Sequence, residues 1–437
     1  MPKPIVAIIG RPNVGKSTLF NRILKRRQAV VDDQPGVTRD RNYALADWRG
    51  RSFYLVDTGG LVPSSKDEME KLVKAQAEIA IGQANLVLLL IDAQVGAQQT
   101  DLDIANRLKK TSKNVILVAN KVDRMEDEAE IHILNRLGLG EPLAVSSMNG
   151  RSIGELLDKI TDFLPKHPVE EKADKSIRVA VVGRTNVGKS SFVNALLGEN
   201  KLVVSSSPGT TRDSIDTQIK AKGQIFTLID TAGLRKKSKI ERGIEYYTSL
   251  RTLRSIERCD VALLLVEAQV GLIKQDIKIA EETIDLRKGM VLVVNKWDLV
   301  EKDSETLDTY TGQIIRMAPF MEHVPIIYTS ALTRQRIYAT LDLVKEVDSQ
   351  MKRRIDTSDL NKVMGIEIRK RPPAAARGKY IKLYYVTQTE TKPPTFVFFC
   401  NYPELLEKAY LKFLSNRIRE HFGFSGCPIR IKIRKRE

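Results

Sequence analysis

The same nine-residue pattern occurs twice in this chain, as GRPNVGKST at residues 10–18 and as GRTNVGKSS at residues 183–191. Each copy follows a short apolar run and precedes a helix-like stretch, an order that is typical of phosphate-binding loops. In such a loop the backbone N–H groups surround phosphate oxygens, and the helix dipole favours negative charge. The two copies could be one working site and a relic, two independent enzymes, or two halves of one switch.

Three further motifs recur in both halves of the chain, in the same order. They are PGVTRD at 35–40 and PGTTRD at 208–213, DTGGL at 57–61 and DTAGL at 230–234, and NKVD at 120–123 and NKWD at 295–298. The loop and the first two motifs are separated from their second copies by 173 residues, and the last motif by 175. Four motifs at nearly one offset predict a duplicated domain.

Short apolar runs alternate with helix-like stretches in each copy. Uninterrupted runs of this kind indicate an α/β fold with a mostly parallel sheet and helices on both faces. The expected strands are Ile5–Ile9, Val87–Ile91, Val115–Val118, Val179–Val182, Val261–Val266 and Val291–Val294, and the expected first helices are Thr18–Ile23 and Ser191–Leu197.

The pattern changes after about residue 352 and predicts a small α+β domain. Its expected elements are a helix starting at Thr357 or Ser358, strands at Lys379–Val386 and Pro394–Phe399, a helix at Leu405–His421 and a strand at Pro428–Ile433. A polar, proline-containing segment before the second copy is typical of a linker. The expected boundaries are 1–166, a linker at 167–176, 177–352 and 353–437.

The positive charge of the chain is concentrated near its C-terminal end. The formal net charge is +17, and residues 353–437 carry 19 Lys and Arg against 8 Asp and Glu, a net charge of +11. A basic domain attached to nearly neutral ones favours a polyanionic partner, with nucleic acid first. A charged surface that is only solvated is the alternative.

Composition also disfavours some classes of protein. The longest apolar runs, such as Val261–Val266 and Leu86–Ile91, are far shorter than the ~20 residues that span a bilayer. Cys259, Cys400 and Cys427 lack the CxxC spacing of zinc sites and are too few for a disulfide framework. We therefore expect a cytoplasmic protein without stable membrane association.

The phosphate loops predict binding of a nucleotide and Mg²⁺. In the GxxxxGK[ST] pattern the lysine reaches the β- and γ-phosphates, and the following hydroxyl coordinates Mg²⁺. An aspartate at a strand end orients the metal, and a threonine between loop and aspartate closes on it only when the γ-phosphate is present. We assign catalysis to Lys16, Thr38, Lys189 and Thr211, and Mg²⁺ binding to Ser17, Thr38, Asp57, Ser190, Thr211 and Asp230.

The NKxD motifs decide between guanine and adenine. A carboxylate accepts both the N1–H and the exocyclic amine of guanine, and Asp123 and Asp298 are in position for this. Loss of such a contact leaves a buried acceptor unsatisfied, which costs roughly 1–3 kcal/mol. Backbone N–H groups near Ser146, and near Ser330 and Ala331, would complete the pockets. The expected ligand is therefore GTP or GDP, and not ATP.

The candidate nucleotide-binding residues follow from these motifs. The first site comprises Gly10, Arg11, Pro12, Asn13, Val14, Gly15, Lys16, Ser17, Thr18, Asp57, Thr58, Gly59, Gly60, Leu61, Asn120, Lys121, Val122, Asp123, Ser146 and Ser147. The second site comprises Gly183, Arg184, Thr185, Asn186, Val187, Gly188, Lys189, Ser190, Ser191, Asp230, Thr231, Ala232, Gly233, Leu234, Asn295, Lys296, Trp297, Asp298, Ser330 and Ala331.

The residue after each DxxG motif is a leucine, Leu61 or Leu234. Ras-type enzymes use a glutamine at this position to orient the attacking water. Leucine has no polar group for this role, so unaided hydrolysis should be slow and another group or ion must help.

Together these features resemble the EngA (Der) family of bacterial double-Era-like GTPases, of the TrmE-Era-EngA-like class, over essentially the whole chain. The resemblance is carried by GRPNVGKST, PGVTRD, DTGGL and NKVD, then by GRTNVGKSS, PGTTRD, DTAGLRKK, NKWD and TSAL, and by the basic tail domain. It implies two tandem P-loop GTPase domains, a KH-like C-terminal domain and Mg²⁺-dependent GTP hydrolysis. It also implies binding to ribosomal RNA in biogenesis of the large (50S) subunit.

The resemblance implies one further ion and raises one question about RNA. In related potassium-stimulated GTPases an asparagine of the phosphate loop helps to hold K⁺, and Asn13 and Asn186 match it. K⁺ would supply the positive charge that an arginine finger supplies in other GTPases. This expectation agrees with the two leucines, because their side chains cannot assist hydrolysis. The GFSG sequence at 423–426 follows the last helix, so we expect a turn and not the RNA-binding GxxG loop of KH domains.

The sequence as a whole favours a monomeric molecular switch that binds the 50S subunit or its rRNA, and not DNA. A GTP-dependent phosphotransferase is disfavoured because the chain has no additional substrate domain with clustered acid and base residues. A membrane-associated regulatory GTPase is the alternative, since basic surfaces also attract anionic lipid, although no hydrophobic anchor or lipidation motif supports it.

Overall fold

The computed structural model divides the chain into two compact units. The first comprises Met1–Lys172 and Lys239–Arg254, and the second comprises Ala173–Ser238 and Ser255–Glu437. The described residues are 3–25, 43–58, 82, 84–111, 113–124, 126–164, 176–198, 203–208, 215–231, 245–301 and 305–436. Within these ranges, no helix is long and apolar enough to span a bilayer.

A six-stranded sheet forms the centre of the first unit. Its strands are β1 (Ile5–Ile9), β2 (Tyr43–Trp48), β3 (Arg51–Asp57), β4 (Leu86–Asp92), β5 (Asn114–Asn120) and β6 (Leu143–Ala144). They lie in the order β2-β3-β1-β4-β5-β6, with β2 antiparallel to β3 and the other neighbours parallel. The helices are α1 (Lys16–Lys25), α2 (Gln99–Lys109) and α3 (Ile153–Phe163), and Glu126–Leu137 forms a 3₁₀ segment.

The second unit repeats this plan, and its described residues include one more strand than those of the first. Its strands are β7 (Ile177–Val182), β8 (Val203–Pro208), β9 (Ile215–Ala221), β10 (Gln224–Leu228), β11 (Val261–Glu267), β12 (Gly289–Asn295) and β13 (Ile326–Tyr328). The order is β13-β12-β11-β7-β10-β9-β8, and β9 runs antiparallel to both its neighbours. The helices are α4 (Lys189–Leu197), α5 (Glu245–Arg258, of which residues 255–258 belong to this unit), α6 (Lys274–Asp285), α7 (Thr306–Met317) and α8 (Ala339–Lys352), with 3₁₀ turns at Trp297–Leu299 and Pro319–Met321.

A separate three-stranded sheet ends the second unit. It contains β14 (Leu383–Thr391), β15 (Pro394–Cys400) and β16 (Arg430–Lys435), with α9 (Thr357–Lys370), a 3₁₀ turn (Pro403–Leu405) and α10 (Lys408–Phe422). β15 is antiparallel to β14 and parallel to β16. Phe398 and Leu414 belong to the same hydrophobic cluster as Val347 and Met351 of α8. The small sheet therefore shares a core with the rest of the second unit.

The strands expected within the two copies are confirmed, and each is at least as long as expected. Every residue of β1 and β4 is buried, as expected for central strands of a sheet that is covered on both faces. The first helix of each copy begins two residues earlier than expected, at Lys16 and at Lys189. Each helix thus starts directly after the last glycine of its phosphate loop.

The first strand of the C-terminal sheet starts later than the alternation of its residues suggests. It was expected from Lys379 but begins at Leu383. Ala376 and Lys379 bond to each other across a tight turn in which Arg377 and Gly378 have φ values of 50° and 71°. The turn therefore includes Lys379, the first residue of the expected strand.

Other boundaries of the C-terminal part also shift. α9 begins at Thr357 as expected, but its capping side chain is Asp356, which accepts a hydrogen bond from Ser358 N at 2.7 Å. α10 begins three residues later than expected because Pro403–Leu405 forms a 3₁₀ turn, and β16 begins two residues later than expected.

The GFSG segment forms a turn between α10 and β16, as expected. Gly426 N donates to His323 O at 2.7 Å, and Gly426 O accepts from Met290 N, in β12, at 2.9 Å. Phe424 is fully buried, and its ring lies 5.8 Å from that of Phe396. The segment therefore fastens the three-stranded sheet to the seven-stranded sheet.

Substitution of Gly426 by alanine should loosen this attachment. Gly426 has a φ of 67°, and a Cβ there would lie 2.6 Å from Val347 Cγ2 and 2.7 Å from Met290 O. In Gly426→Ala the strain of a left-handed alanine backbone and the displacement of neighbouring side chains should together lower the free energy of opening at the Met290 amide by about 2–4 kcal/mol. Hydrogen exchange of the full chain measures this change.

Gly378→Ala is the matched control. Gly378 also has a positive φ, 71°, but a Cβ there meets nothing within 4 Å. It should leave the protection of the Met290 amide unchanged. Equal protection in the two variants would show that the close approach at Gly426 does not hold the attachment.

Candidate functional site

Two glycines allow the backbone of each phosphate loop to pass close to its neighbours. A Cβ on Gly10 would lie 2.4 Å from Leu90 O, and a Cβ on Gly15 would lie 2.2 Å from Asn120 Nδ2. In the second loop the equivalent distances are 2.4 and 2.5 Å. Both loops therefore require glycine for space, and the second glycine of each also has a φ above 90°.

The lysine of the first loop is buried among carbonyl groups. Lys16 Nζ donates to Gly10 O at 2.9 Å and to Arg11 O at 2.7 Å. Burial lowers the pKa of Lys16, while the charges of Asp57 and Asp101 act in the opposite direction. The ammonium group is thus held by the loop to which it belongs.

The second loop holds its lysine in the same way. Lys189 Nζ donates to Gly183 O at 2.8 Å and to Arg184 O at 2.5 Å. Burial lowers the pKa of Lys189 to about 8, although the charge of Asp276 opposes this. A desolvated cation bonded to neutral carbonyls gains strongly from an anionic ligand, so both loops suit a phosphate.

One asparagine in each copy connects three segments of the chain. Asn120, which ends β5, donates from Nδ2 to Val14 O at 2.7 Å, and its Oδ1 accepts from Ser147 N at 3.0 Å and Ser147 Oγ at 2.7 Å. Asn295, which ends β12, bonds to the second phosphate loop at 2.9 Å and accepts from Ala331 N at 3.1 Å. These amides therefore fix the phosphate loops relative to the NKxD loops.

The charged residues of the first NKxD motif are also held in place. Asp123 Oδ1 accepts hydrogen bonds from Ser146 Oγ at 2.6 Å and from Asn149 Nδ2 at 3.2 Å. Lys121 has a φ of 69°, and its Nζ lies 2.6 Å from Asp92 Oδ2. The carboxylate and the lysine of this motif thus each have a protein partner.

In the second copy the NKxD loop lines a cavity of about 490 Å³. Asp298 supplies a carboxylate to this cavity, and Leu299 and Leu332 supply apolar surface. Lys296, which also lines it, has a φ of 62° and pairs with Glu267 Oε1 at 2.7 Å. Apolar walls with one converging carboxylate suit a flat heterocycle that donates hydrogen bonds, such as guanine.

The third residue of each NKxD motif turns inward. Val122 is fully buried, and Trp297 is 4% exposed. The Trp297 ring lies 4.4 Å from that of Tyr328 and 5.5 Å from that of Tyr310, and Trp297 N donates to Thr329 O at 3.0 Å. These side chains support the loop from behind.

An arginine of each phosphate loop lies near an aspartate that is outside all of the motifs. Arg11 Nε donates to the fully buried Asp101 at 2.6 Å. In the second copy Arg184 Nε lies 3.5 Å from Asp276, and burial raises the pKa of that carboxyl. Neither aspartate was expected from the motifs, although the two are separated by the same 175 residues as the NKxD motifs.

The residues expected to bind Mg²⁺ differ between the copies. Ser17 Oγ donates to Asp57 Oδ2 at 2.6 Å, and this pair of hard oxygen atoms fits Mg²⁺. Asp57 ends β3, whereas Asp230 lies in a turn after β10 with a φ of 59°, where its N donates to Asp216 Oδ1 at 3.0 Å. Ser190 is exposed. The first copy therefore brings the two expected ligands together.

The remaining candidates fall into three groups. Those exposed at the loops are Pro12, Asn13, Thr18, Thr185, Asn186 and Ser191. Those partly or fully buried beside the loops are Val14, Thr58, Val187, Thr231 and Ser330. Those outside the described residues are Thr38, Gly59, Gly60, Leu61, Thr211, Ala232, Gly233 and Leu234.

Models of two protein families match the chain. The model described as "50S ribosome-binding GTPase" matches residues 5–121 and 178–296. The model described as "KH-domain-like of EngA bacterial GTPase enzymes, C-terminal" matches residues 354–434. Each GTPase match covers one phosphate loop and ends within the following NKxD motif.

The chain is also similar to curated proteins over its whole length. It is 51% identical over 437 residues to GTPase Der of Caldanaerobacter subterraneus subsp. tengcongensis, and this match spans 100% of this chain and 99% of the relative. It is 47% identical over 436 residues to GTPase Der of Chloroherpeton thalassium, and this match spans 99% of this chain and 100% of the relative. These similarities agree with the two phosphate loops, their NKxD loops and the C-terminal α+β part. The chain therefore belongs to the GTPase Der family, with two P-loop GTPase domains followed by a KH-like domain.

Proposed function

We propose that the chain is a GTP-hydrolysing molecular switch that binds the large (50S) ribosomal subunit through rRNA and acts in its biogenesis. The duplicated site geometry carries this proposal: in both copies a desolvated lysine lies over a glycine loop that an asparagine ties to the base-binding loop. The family description "50S ribosome-binding GTPase" supports the partner, and the names of the relatives support the reaction.

The charged side chains have distinct roles in the proposed sites. Lys16 and Lys189 bind the β- and γ-phosphates, which supply the negative charge that their buried positions lack. Asp123 and Asp298 accept the N1–H and the exocyclic amine of guanine. The other loop residues surround the phosphates with backbone N–H groups.

Mg²⁺ and K⁺ are the proposed ions. The Mg²⁺ ligands would be Ser17, Thr38 and Asp57 in the first site and Ser190, Thr211 and Asp230 in the second. When bound, the metal neutralises charge on the phosphates. For K⁺ we propose Asn13 and Asn186, whose φ values of 67° and 66° give the two loops the same left-handed turn.

Nucleotide exchange would act on partner binding through the whole chain. We place the domains at 1–166, 177–352 and 353–437, with a linker at 167–176. The last domain, with its net charge of +11, is the proposed contact to rRNA. In this proposal the protein works as a monomer in the cytoplasm and binds neither DNA nor membranes stably.

Association with 50S subunits should depend on the bound nucleotide. We expect co-sedimentation of the full chain with purified 50S subunits to differ between GDP and a non-hydrolysable GTP analogue. Lys16→Ala and Lys189→Ala should each reduce that difference, because each disables one site. Equal binding in every nucleotide state would contradict the switch. Binding to anionic vesicles but not to 50S subunits would favour the membrane-associated alternative.

The affinity of the second site for nucleotide should fall above pH 8. In the ligand-free chain burial lowers the pKa of Lys189 to about 8, and bound phosphates would favour the charged form. The free site therefore loses its proton first, and binding at higher pH requires proton uptake. In Lys16→Ala, which isolates this site, GDP affinity should be about four-fold weaker at pH 8.5 than at pH 7. Titration of fluorescent GDP measures it.

Lys16→Ala combined with Lys189→Arg is the control, because arginine stays charged across this range. It should bind GDP equally at both pH values. A decline in the control as well would assign the titration to another group. Absence of nucleotide binding in Lys16→Ala would show that the second copy is a relic.

Hydrolysis of GTP should be faster in K⁺ than in Na⁺ at matched ionic strength. Leu61 and Leu234 offer no group to orient water, so the charge of an ion at the phosphate loops should matter. Asn13→Gly with Asn186→Gly removes the proposed ligands but keeps the left-handed backbone, since glycine adopts it readily. We expect this variant to bind GTP but to lose the K⁺ response, measured as phosphate release. A K⁺ response that survives the double substitution rules out these asparagines.

A further inference from the structure

Three tyrosines lie exposed at one end of the C-terminal sheet. Tyr380 is 85% exposed, Tyr384 39% and Tyr385 44%. Tyr384 lies at an irregularity in β14, because Leu383 pairs with Cys400 and Tyr385 with the preceding residue of β15. A bulge of this kind allows two consecutive strand residues to reach solvent. Large aromatic side chains are seldom left exposed together without a partner.

Cationic groups lie over the ring of Tyr384 and over that of Tyr402. The Arg436 guanidinium is 4.7 Å from the centre of the Tyr384 ring, and Lys382 Nζ is 5.7 Å from it. Lys379 Nζ lies 4.7 Å from the centre of the Tyr402 ring. All three cations are exposed. They therefore reach solvent beside the rings and can contact a ligand.

Cations outnumber carboxylates around this cluster, although Lys432 pairs with Glu390 at 3.2 Å. Residues 371–385 and 430–436, which contribute most of the cluster, contain no Asp or Glu. The cations of these two segments are Arg371, Arg377, Lys379, Lys382, Arg430, Lys432, Arg434, Lys435 and Arg436. A surface of this kind attracts a polyanion and does not suit another basic partner.

The cluster is held in place before any ligand binds. Asn401 Nδ2 donates to Tyr380 O at 2.9 Å, and Asn401 Oδ1 accepts from Lys382 N at 2.8 Å. The Tyr385 ring stacks on Phe399 at 4.3 Å with an angle of 11° between the planes. Little ordering of this surface is therefore needed when a ligand binds.

The GFSG sequence at 423–426 matches the GxxG pattern that contacts RNA in many KH domains, but here it is a turn between α10 and β16. The GFSG turn buries Phe424 and bonds through Gly426 to His323 and Met290. Its backbone is thus occupied by contacts within the second unit. RNA bound by the KH-like domain must therefore use another surface.

We propose that Tyr380 and Tyr384, with Lys379, Lys382 and Arg436, form a binding site for unpaired nucleotides of single-stranded RNA. The rings stack on exposed bases and the cations contact the flanking phosphates. Bases in a duplex are already stacked, so the site discriminates against paired RNA. This inference rests on the proposed rRNA partner and specifies which kind of RNA the domain recognises.

The test is fluorescence anisotropy of the full chain with a labelled single-stranded RNA on the order of ten nucleotides. In Tyr380→Ala/Tyr384→Ala, affinity should fall roughly ten-fold or more, because each stacked base contributes substantially. Tyr380→Phe/Tyr384→Phe keeps the rings and should retain wild-type affinity. Binding to a duplex of the same length should be unchanged in both variants. Unchanged single-strand affinity in the alanine variant overturns the proposal.

The salt dependence separates stacking from charge. The alanine variant should keep the wild-type slope of log affinity against log salt, whereas Lys379→Gln should flatten it by about 0.7, the value for one phosphate contact to a single strand. A flattened slope in the alanine variant, or an equal loss of duplex binding, would show only an electrostatic patch. That result too overturns the stacking site.

Two controls separate this inference from the proposed function. Ile366→Ala removes an apolar side chain that is 42% exposed on α9 and should leave RNA binding unchanged. GDP affinity, unchanged in all variants, shows that they are folded. If the wild type binds no 50S subunits, the proposed function fails while the RNA titration still decides the stacking site. If 50S binding is intact and the alanine variant binds RNA normally, the stacking site fails alone.

Discussion

The hydrogen bond from an asparagine side chain to the phosphate loop sets the geometry of each site. Asn120 bonds to Val14 O at 2.7 Å, and Asn295 makes the same contact in the second copy at 2.9 Å. The amide approaches so closely that only glycine fits at positions 15 and 188. Because each asparagine ends a central strand, the position of the loop is fixed by the sheet. The same attachment holds the NKxD loop beside the phosphate loop.

The sequence was sufficient to predict the fold class, the duplicated domain and the position of the loops, because the glycines, the lysines and the apolar strand patterns depend on local chemistry. It was not sufficient for contacts that packing decides. Asp101 meets Arg11 only because α2 packs beside the phosphate loop, 90 residues later in the chain. Trp297 lies in the second NKxD motif, but its ring packs against Tyr328 and Tyr310 in the protein interior. Such partners are distant in sequence and carry no local signal.

The two copies share motifs but differ in the carboxylate that ends β4 in the first copy and β11 in the second. In the first copy Asp92 pairs with Lys121. In the second copy Glu267, one methylene longer, pairs with Lys296 at 2.7 Å, and its other oxygen lies 3.7 Å from Arg184. One carboxylate thus lies between the NKxD loop and the phosphate loop only in the second copy. Two copies with closely similar motifs therefore do not have identical sites.

The shared core of the second unit limits how the domains of this chain can be rearranged. The main hydrophobic cluster of the second unit combines Val347 and Met351 with Phe396, Phe398 and Phe424, whereas the cluster that contains α1 and α3 is built only from residues 6–164. Truncation before the C-terminal domain would uncover apolar surface on the second GTPase domain and invite aggregation. Despite their common ancestry, the duplicated domains are no longer interchangeable parts.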